Sequence, residues 1–282
     1  MDLHNPSAEI YVPDGSPVDI ALSRTTHMSI AAHQDDIEIM AFHGILECFG
    51  KSDKHFTGVT VTNGSGSPRD GLYANYTDDD MQKVRRKEQK KAAFLGEYSA
   101  HVFLDYTSGA VKASANTEVI DDLKKVIRAA GPQVIYTHNL ADKHDTHVAT
   151  ALRVIEAIRE LPKEARPQRL YGCEVWRSLD WLNDDDKVVF NVEAHENLAM
   201  SLVGVFDSQI CGGKRYDLAT MGRRRANASY FASHGVDEST SLIYGLDLTP
   251  LIANERLDIS EYLGGFLSRF AREVSSRIAK LA

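Results

Sequence analysis

Cysteine is scarce in this 282-residue chain: Cys48, Cys173 and Cys211 stand far apart and form no C-x-x-C pair. That excludes a disulfide framework, and with it the usual sign of an oxidising compartment, so a cytoplasmic location is expected. No apolar run approaches the roughly 18–20 residues needed to cross a bilayer. The first thirty residues carry Glu9, Asp14 and Asp19 and no continuous apolar stretch, so no signal peptide is expected either. Positive charge is also short, with 32 Lys+Arg against 40 Asp+Glu and a net charge of −8. Dedicated nucleic-acid binders need Lys and Arg to neutralise phosphates, so that class is excluded, although a local basic pocket for a small anion is not. Internal repeats and linkers with a composition break are absent. One domain over residues 1–282 is expected, with a metal-binding core over about 24–175 and a C-terminal extension over about 176–282.

What is present is apolar material for a core, 43% of the residues, and eleven histidines. After a polar arm (Met1–Ser23), strand and helix patterns alternate. Strands are expected at Thr25–Ala32, Phe56–Thr62, His101–Tyr106, Gln133–Thr137 and Arg169–Val175, the second being a β-branched run. Helices are expected at Ile37–Phe49, from Thr77 to the stop at Gly96, at Thr117–Ala130 and at Asp145–Leu161. Four strand-then-helix passes imply right-handed crossovers, hence a Rossmann-like, doubly wound α/β fold with a mostly parallel sheet between helices. Further on, Val188–Glu193 reads as a strand and Ala194–Phe206 as a helix, and Asp207–Leu257 reads as loop-rich. Leu263, Phe266, Leu267, Phe270, Val274 and Ile278 form the stripe of an amphipathic closing helix, expected to pack on the sheet.

In such a fold the ligand site lies beyond the C-terminal strand ends. Two clusters sit there. Ala31-Ala32-His33-Gln34-Asp35-Asp36-Ile37-Glu38 follows the first strand, and Asp142-Lys143-His144-Asp145-Thr146-His147 follows the fourth. Asp is rarely buried without a partner, so a His and adjacent carboxylates at a strand end are hard to explain as packing. Two imidazoles and one carboxylate converging on a cleft make a three-ligand metal site with a vacant position, the catalytic pattern. With His33, Asp36 and His147 as ligands, Asp35 is left beside the metal to take a proton from the water held there. His144 could then donate to the oxyanion formed when water attacks a carbonyl. The chemistry this describes is metal-assisted hydrolysis of an amide or ester.

The segment AHQDDIE resembles the AHPDDxE signature of the PIG-L/LmbE-like de-N-acetylases. THNLADKHDTH is similar to their second signature, which ends in HPDH, and Arg85-Arg86-Lys87-Glu88 with Ala92 and Leu95-Gly96 matches the stretch between them. The likeness covers roughly residues 26–160, with weaker echoes in DSQI and RRRANASYF. It implies zinc-dependent removal of an acetyl group from an N-acetylglucosamine-type sugar. On that resemblance His33, Asp36 and His147 are zinc ligands, Asp35 is the general base and His144 stabilises the tetrahedral intermediate. Two positions depart from the pattern: Gln34 replaces proline, and His144-Asp145-Thr146-His147 lacks the carboxylate at the third place of HPDH. Asp142 or Asp145 could stand in for it.

On the substrate side, Arg85 aligns with an arginine that approaches the site in that family. Asp105 and Asn63 end strands and could accept or donate hydrogen bonds to sugar hydroxyls. Trp176 and Trp181 could stack on a sugar ring, although core packing is the simpler reading of both. Arg223-Arg224-Arg225 could bind an acidic substrate group, although a charged helix face or interface is the simpler reading there. The partner is therefore a small-molecule amino-sugar conjugate, with no nucleic acid and no membrane span, and a homo-oligomer is compatible with the sequence. Zinc is the expected metal; iron(II) or another divalent ion suits the same ligands. Two other readings share these residues. One is a non-catalytic sugar- or metal-binding member, and the other a non-haem iron oxygenase, a class usually built on all-β barrels.

Overall fold

The computed structural model describes residues 1–282. Its centre is set by strands that are buried along their whole length, as strands covered by helices on both faces must be. These are β2 and β3 in the chain order that follows. The N-terminal arm forms β1 (Glu9–Tyr11) and α1 (Val18–Ser23). Then come β2 (His27–Ala31), α2 (Asp36–Met40), α3 (Phe42–Cys48), β3 (Phe56–Thr62) and α4 (Asp78–Leu95). The next group is β4 (Ala100–Tyr106), α5 (Ser108–Lys112), α6 (Glu118–Ala130), β5 (Val134–His138) and α7 (Asp145–Arg159). The last part is β6 (Arg169–Cys173), β7 (Val188–Asn191), α8 (Glu196–Gly204), α9 (Asp207–Ile210), α10 (Tyr216–Ser229), β8 (Leu242–Asp247), α11 (Thr249–Ala253) and α12 (Ile259–Leu281).

One eight-stranded sheet runs in the order β1-β4-β3-β2-β5-β6-β8-β7. The five central strands are parallel, and β1, β8 and β7 pair antiparallel at the two ends. The fold is therefore the mixed α/β, mostly parallel arrangement expected. Alternate residues of one strand feed two separate cores. Met28 and Ile30 join one apolar cluster with α6 and α7, while Ala31 joins the other with α2, α3 and α8. The strand order reverses between β2 and β5, which are direct neighbours. A crevice opens at such a switch point because the two crossovers leave in opposite directions.

Four differences from the sequence reading are local. The helix expected over Ile37–Phe49 is broken at Ala41, whose φ of −114° and ψ of 21° are not helical. The polar arm adds an edge strand and a short helix. The stretch expected to be loop-rich holds α9, α10, β8 and α11; LIYGLD is too short an apolar run for periodicity to classify. Finally, α12 does not lie along the sheet. Phe266 is its one buried side chain, and its second half stands in solvent.

Candidate metal centre and active site

β2 delivers His33 and Asp36 through a tight turn. Asp35 sits at φ 101°, a region that side chains other than glycine avoid, so its surroundings must hold it there. Its backbone N–H donates to Gln89 Oε1 at 3.3 Å, and Gln89 Nε2 donates to Glu38 Oε1 at 2.7 Å. Tyr98 donates to that same oxygen at 2.7 Å, so α4 and the loop that follows it brace the turn. On the other side Arg85 lies 3.4 Å from Asp35 Oδ1 and donates to the Gln34 carbonyl and to Ser67 Oγ. The effect is to point Asp35 into the crevice while Asp36 turns inward and accepts from the His33 N–H at 2.8 Å.

β5 delivers the second cluster. Asp142 is its organiser: Oδ1 accepts from the His144 N–H and Oδ2 from the Trp176 N–H, each at 3.0 Å. His147, in the first turn of α7, is fully buried with Nδ1 3.7 Å from Asp142 Oδ2. A carboxylate two residues before His144, rather than one at the third place of HPDH, thus faces His147, at a distance longer than a direct hydrogen bond. Asp145, the other candidate, is exposed.

The two clusters meet. His33 Nδ1 lies 3.2 Å from Asp36 Oδ2 and 3.2 Å from His147 Nε2, and the triangle closes at 3.4 Å between His147 Nε2 and Asp36 Oδ2. A tetrahedral ion bonded at 2.0–2.1 Å sets its ligand atoms about 3.3–3.4 Å apart, so these three atoms match one face of such a site. His144 stands beside them, its ring 5.1 Å from that of His33 and 4.5 Å from that of His147. The sequence reading missed His138, which lies inside the quoted THNLADKHDTH segment. Its ring stacks on His147 at 3.9 Å. His138 Nε2 accepts from the Ala32 N–H at 2.8 Å, which occupies the lone pair a metal would need and makes it a backing plate for His147.

Electrostatics follow the same layout. Burial drives the His33 imidazole down to about 4, partly opposed by Asp36, and burial also drives His138 well down. Both rings are therefore neutral, the form that binds metals. Burial works to raise Asp36, but the facing His147, His138 and His33 outweigh it and hold the carboxyl below its usual range. Asp35 goes the other way: burial raises it, with Arg85 opposing and the nearby Asp36 and Glu38 assisting. Two adjacent carboxyls are thus pushed apart, a pattern that marks different chemical tasks.

A cavity of about 450 Å³ opens over this floor and is lined by His33, Asp35, Asp36, His144 and His147, with Arg85 and Trp176 on its walls. The Trp176 ring lies 6.2 Å from His144, nearly parallel to it, and Lys214 Nζ sits 4.7 Å over the indole. Lys112, Lys214, Gln209 and Tyr216 also line the cavity and were not singled out from sequence; Lys112, Lys214 and Tyr216 come from segments without a motif of their own. Gln209 could have been found through the DSQI echo. Asp105 and Asn63 are not brought to the cavity. The Asp105 carboxylate binds Arg86 and Ser7, and Asn63 Oδ1 caps its own loop at Ser65. Trp181 packs against the larger core cluster. The three arginines are structural: Arg223 donates to Val175 O, Arg224 is buried and donates to Glu38 O and Ile39 O, and Arg225 pairs with Glu196.

Residues 28–158 match the family model described as PIG-L: GlcNAc-PI de-N-acetylase, a span that holds both clusters. The chain carries a PIG-L family domain. Solved structures share the fold of this chain at low identity. GalB, the 4-carboxy-2-hydroxymuconate hydratase of Pseudomonas putida, is 16% identical with a TM-score of 0.61, over 79% of this chain and 96% of that one. N,N'-diacetylchitobiose deacetylase from Pyrococcus horikoshii is 17% identical with a TM-score of 0.59, over 78% and 83%. The conserved protein TT1542 from Thermus thermophilus is 16% identical with a TM-score of 0.58, over 83% and 99%. A hydratase and a deacetylase thus share one architecture, and the reaction must be argued from the site.

Proposed function

We propose that this protein is a metal-dependent hydrolase that removes the N-acetyl, or a larger N-acyl, group from an N-acetylglucosamine-type amino-sugar conjugate. The observation that carries the reading is the 3.2, 3.2 and 3.4 Å triangle of His33, Asp36 and His147 donor atoms, with Asp35 beside it and outside it. These three residues hold the ion, zinc in the first instance. When bound, a divalent ion there supplies Lewis-acid polarisation of water and carbonyl. Asp35, fixed by Arg85 and Gln89, accepts the proton of the attacking water. His144 donates to the oxyanion as the carbonyl carbon becomes tetrahedral. The C–N bond then breaks, and the proton held by Asp35 passes to the leaving amine, giving a carboxylic acid and a free amino sugar. Arg85 and Trp176 shape the sugar subsite, and the unpaired Lys112 and Lys214 suit a conjugate with an anionic group.

Asp142 favours this reading over a non-catalytic binder, because a carboxylate on the far nitrogen of His147 is what orients a ligating imidazole. The family domain and the deacetylase among the fold relatives point the same way. The test is metal analysis of purified protein together with acetate release from a panel of N-acetylglucosamine conjugates. Bound metal with released acetate is expected; no bound metal and no acetate from any amino sugar sinks the reading.

A further inference from the structure

The second half of α12 has no partner. From Phe270 to Ala282 every residue but Glu273 is exposed, and the body holds the helix only through its first half. There Phe266 enters the core, Tyr262 donates to the Asp247 carbonyl at 2.6 Å, and Arg269 pairs with Asp186 at 2.8 Å. A free half-helix of this length is marginal in water unless something covers it. Its apolar face is not small: Leu267, Phe270, Val274, Ile278 and Leu281 are 49%, 38%, 38%, 62% and 79% exposed.

The spacing of that stripe says what fits it. From Leu267 the steps are 3, 4, 4 and 3 residues, which read the same in either direction, with Val274 at the centre. A face of this kind is complementary to itself when turned end for end. Two copies crossing antiparallel on a two-fold axis at Val274 set Leu267 against Leu281, Phe270 against Ile278 and Val274 against Val274. That is an isologous contact, the commonest kind in soluble oligomers. At about 100° per residue, Glu273 and Arg277 lie along one edge of the stripe and Ala271 and Ser275 along the other. The antiparallel crossing brings the Glu273/Arg277 edges of the two copies together, adding the other copy's Arg277 to the one that Glu273 already pairs with in its own helix, whereas a parallel crossing sets that edge against Ala271 and Ser275. The small Ala271 and Ser275 let the backbones approach on the second edge. Arg272 and Lys280 face away and stay hydrated, and Arg269 keeps its pair with Asp186.

We propose that a second copy of this chain covers the α12 stripe, forming an antiparallel two-helix dimer centred on Val274. The paired segment is about 15 residues, roughly 22 Å, so the interface falls at the small end of specific contacts. The affinity is accordingly micromolar or weaker. An anionic membrane is the competing occupant. It suits the basic residues but not Glu273 beside the stripe, nor a chain of net charge −8.

Sedimentation of the full chain over about a hundredfold concentration range should show a monomer–dimer equilibrium. Glu273→Arg should weaken the dimer at least about tenfold by lining the shared edge with like charge. Glu273→Arg combined with Arg277→Glu should restore it. On a Cys211→Ser background, Leu267→Cys with Leu281→Cys should cross-link two chains on oxidation, and Leu267→Cys alone should not. Circular dichroism confirms that each variant is folded. A monomer at every concentration overturns the proposal. So does a dimer indifferent to Glu273→Arg, cross-linking by Leu267→Cys alone, or flotation with phosphatidylserine vesicles that Ile278→Glu abolishes.

Discussion

Histidines at two places on the same sheet do opposite things. His101, on β4, is fully buried, bonds Thr60 Oγ1 at 2.9 Å and packs on Phe103 and Tyr98. Burial takes it down to about 3, with Lys90 pushing the same way, and no carboxylate answers it. At the β2 end His33 is also pushed down by burial, yet Asp36 faces it, Asp142 faces His147, and the donor atoms converge. Burial alone produces a neutral, inert imidazole. Burial with a facing carboxylate and a shared focal point gives the donor arrangement proposed to hold a metal, so the carboxylates are the better guide.

The comparison breaks most sharply at the triangle. His147→Ala or Asp36→Ala should leave no metal above background after dialysis and reduce acetate release by more than about 10³-fold, since three ligands are the minimum for a catalytic site. Metal content comparable to wild type would show that the triangle is not the binding site. Next in size, Asp35→Asn should keep the metal and lower kcat by about 10²–10⁴-fold, the usual worth of a positioned base. Its loss of metal would place Asp35 among the ligands instead.

Asp142→Asn is subtler and should weaken metal affinity by about 10–100-fold, the range seen for groups that orient a ligating histidine. A competition titration against a chelator reads it directly, and an unchanged affinity removes Asp142 from the account. The smallest effect belongs to His101. Its folded pKa of about 3 lies below the ordinary 6.5, so an unfolded chain takes up a proton below pH 6.5 that the native chain refuses. Its stabilising contribution is fully present above pH 6.5 and is lost as pH falls toward 3. His101→Gln should therefore flatten that part of the melting-temperature profile while leaving metal affinity unchanged. A profile as steep as wild type contradicts the assignment.

Much of this was legible in sequence, and the limits are physical. Phe56–Thr62 reads correctly because a buried parallel strand must be apolar or β-branched throughout, and Thr77 because a helix start needs an oxygen cap, here onto the Asp80 N–H at 3.2 Å. His33, Asp35, Asp36, His144 and His147 were singled out because strand ends concentrate chemistry, and the fold brings all five to one cavity. Asp105 occupies a strand end too, but the N-terminal arm reaches it through Ser7, a contact between residues 98 apart that no local pattern encodes. Lys112 and Lys214 were missed for the same reason: only the folded chain brings them to one cavity. The closing helix is amphipathic as its sequence says, but amphipathicity does not say which surface is covered, and here half of it is not covered by the chain itself.

The central claim is that the triangle holds a metal so that Asp35 can hydrolyse an N-acyl amino sugar. Proton NMR of the metal-loaded protein with N-acetylglucosamine conjugates, followed alongside Asp35→Asn, tests it most directly. The account predicts acetate and free amine appearing in equal amounts, lost on chelation and in the metal-loaded variant alike. Full metal occupancy with no acetate from any conjugate, or acetate released equally well by Asp35→Asn, would contradict it.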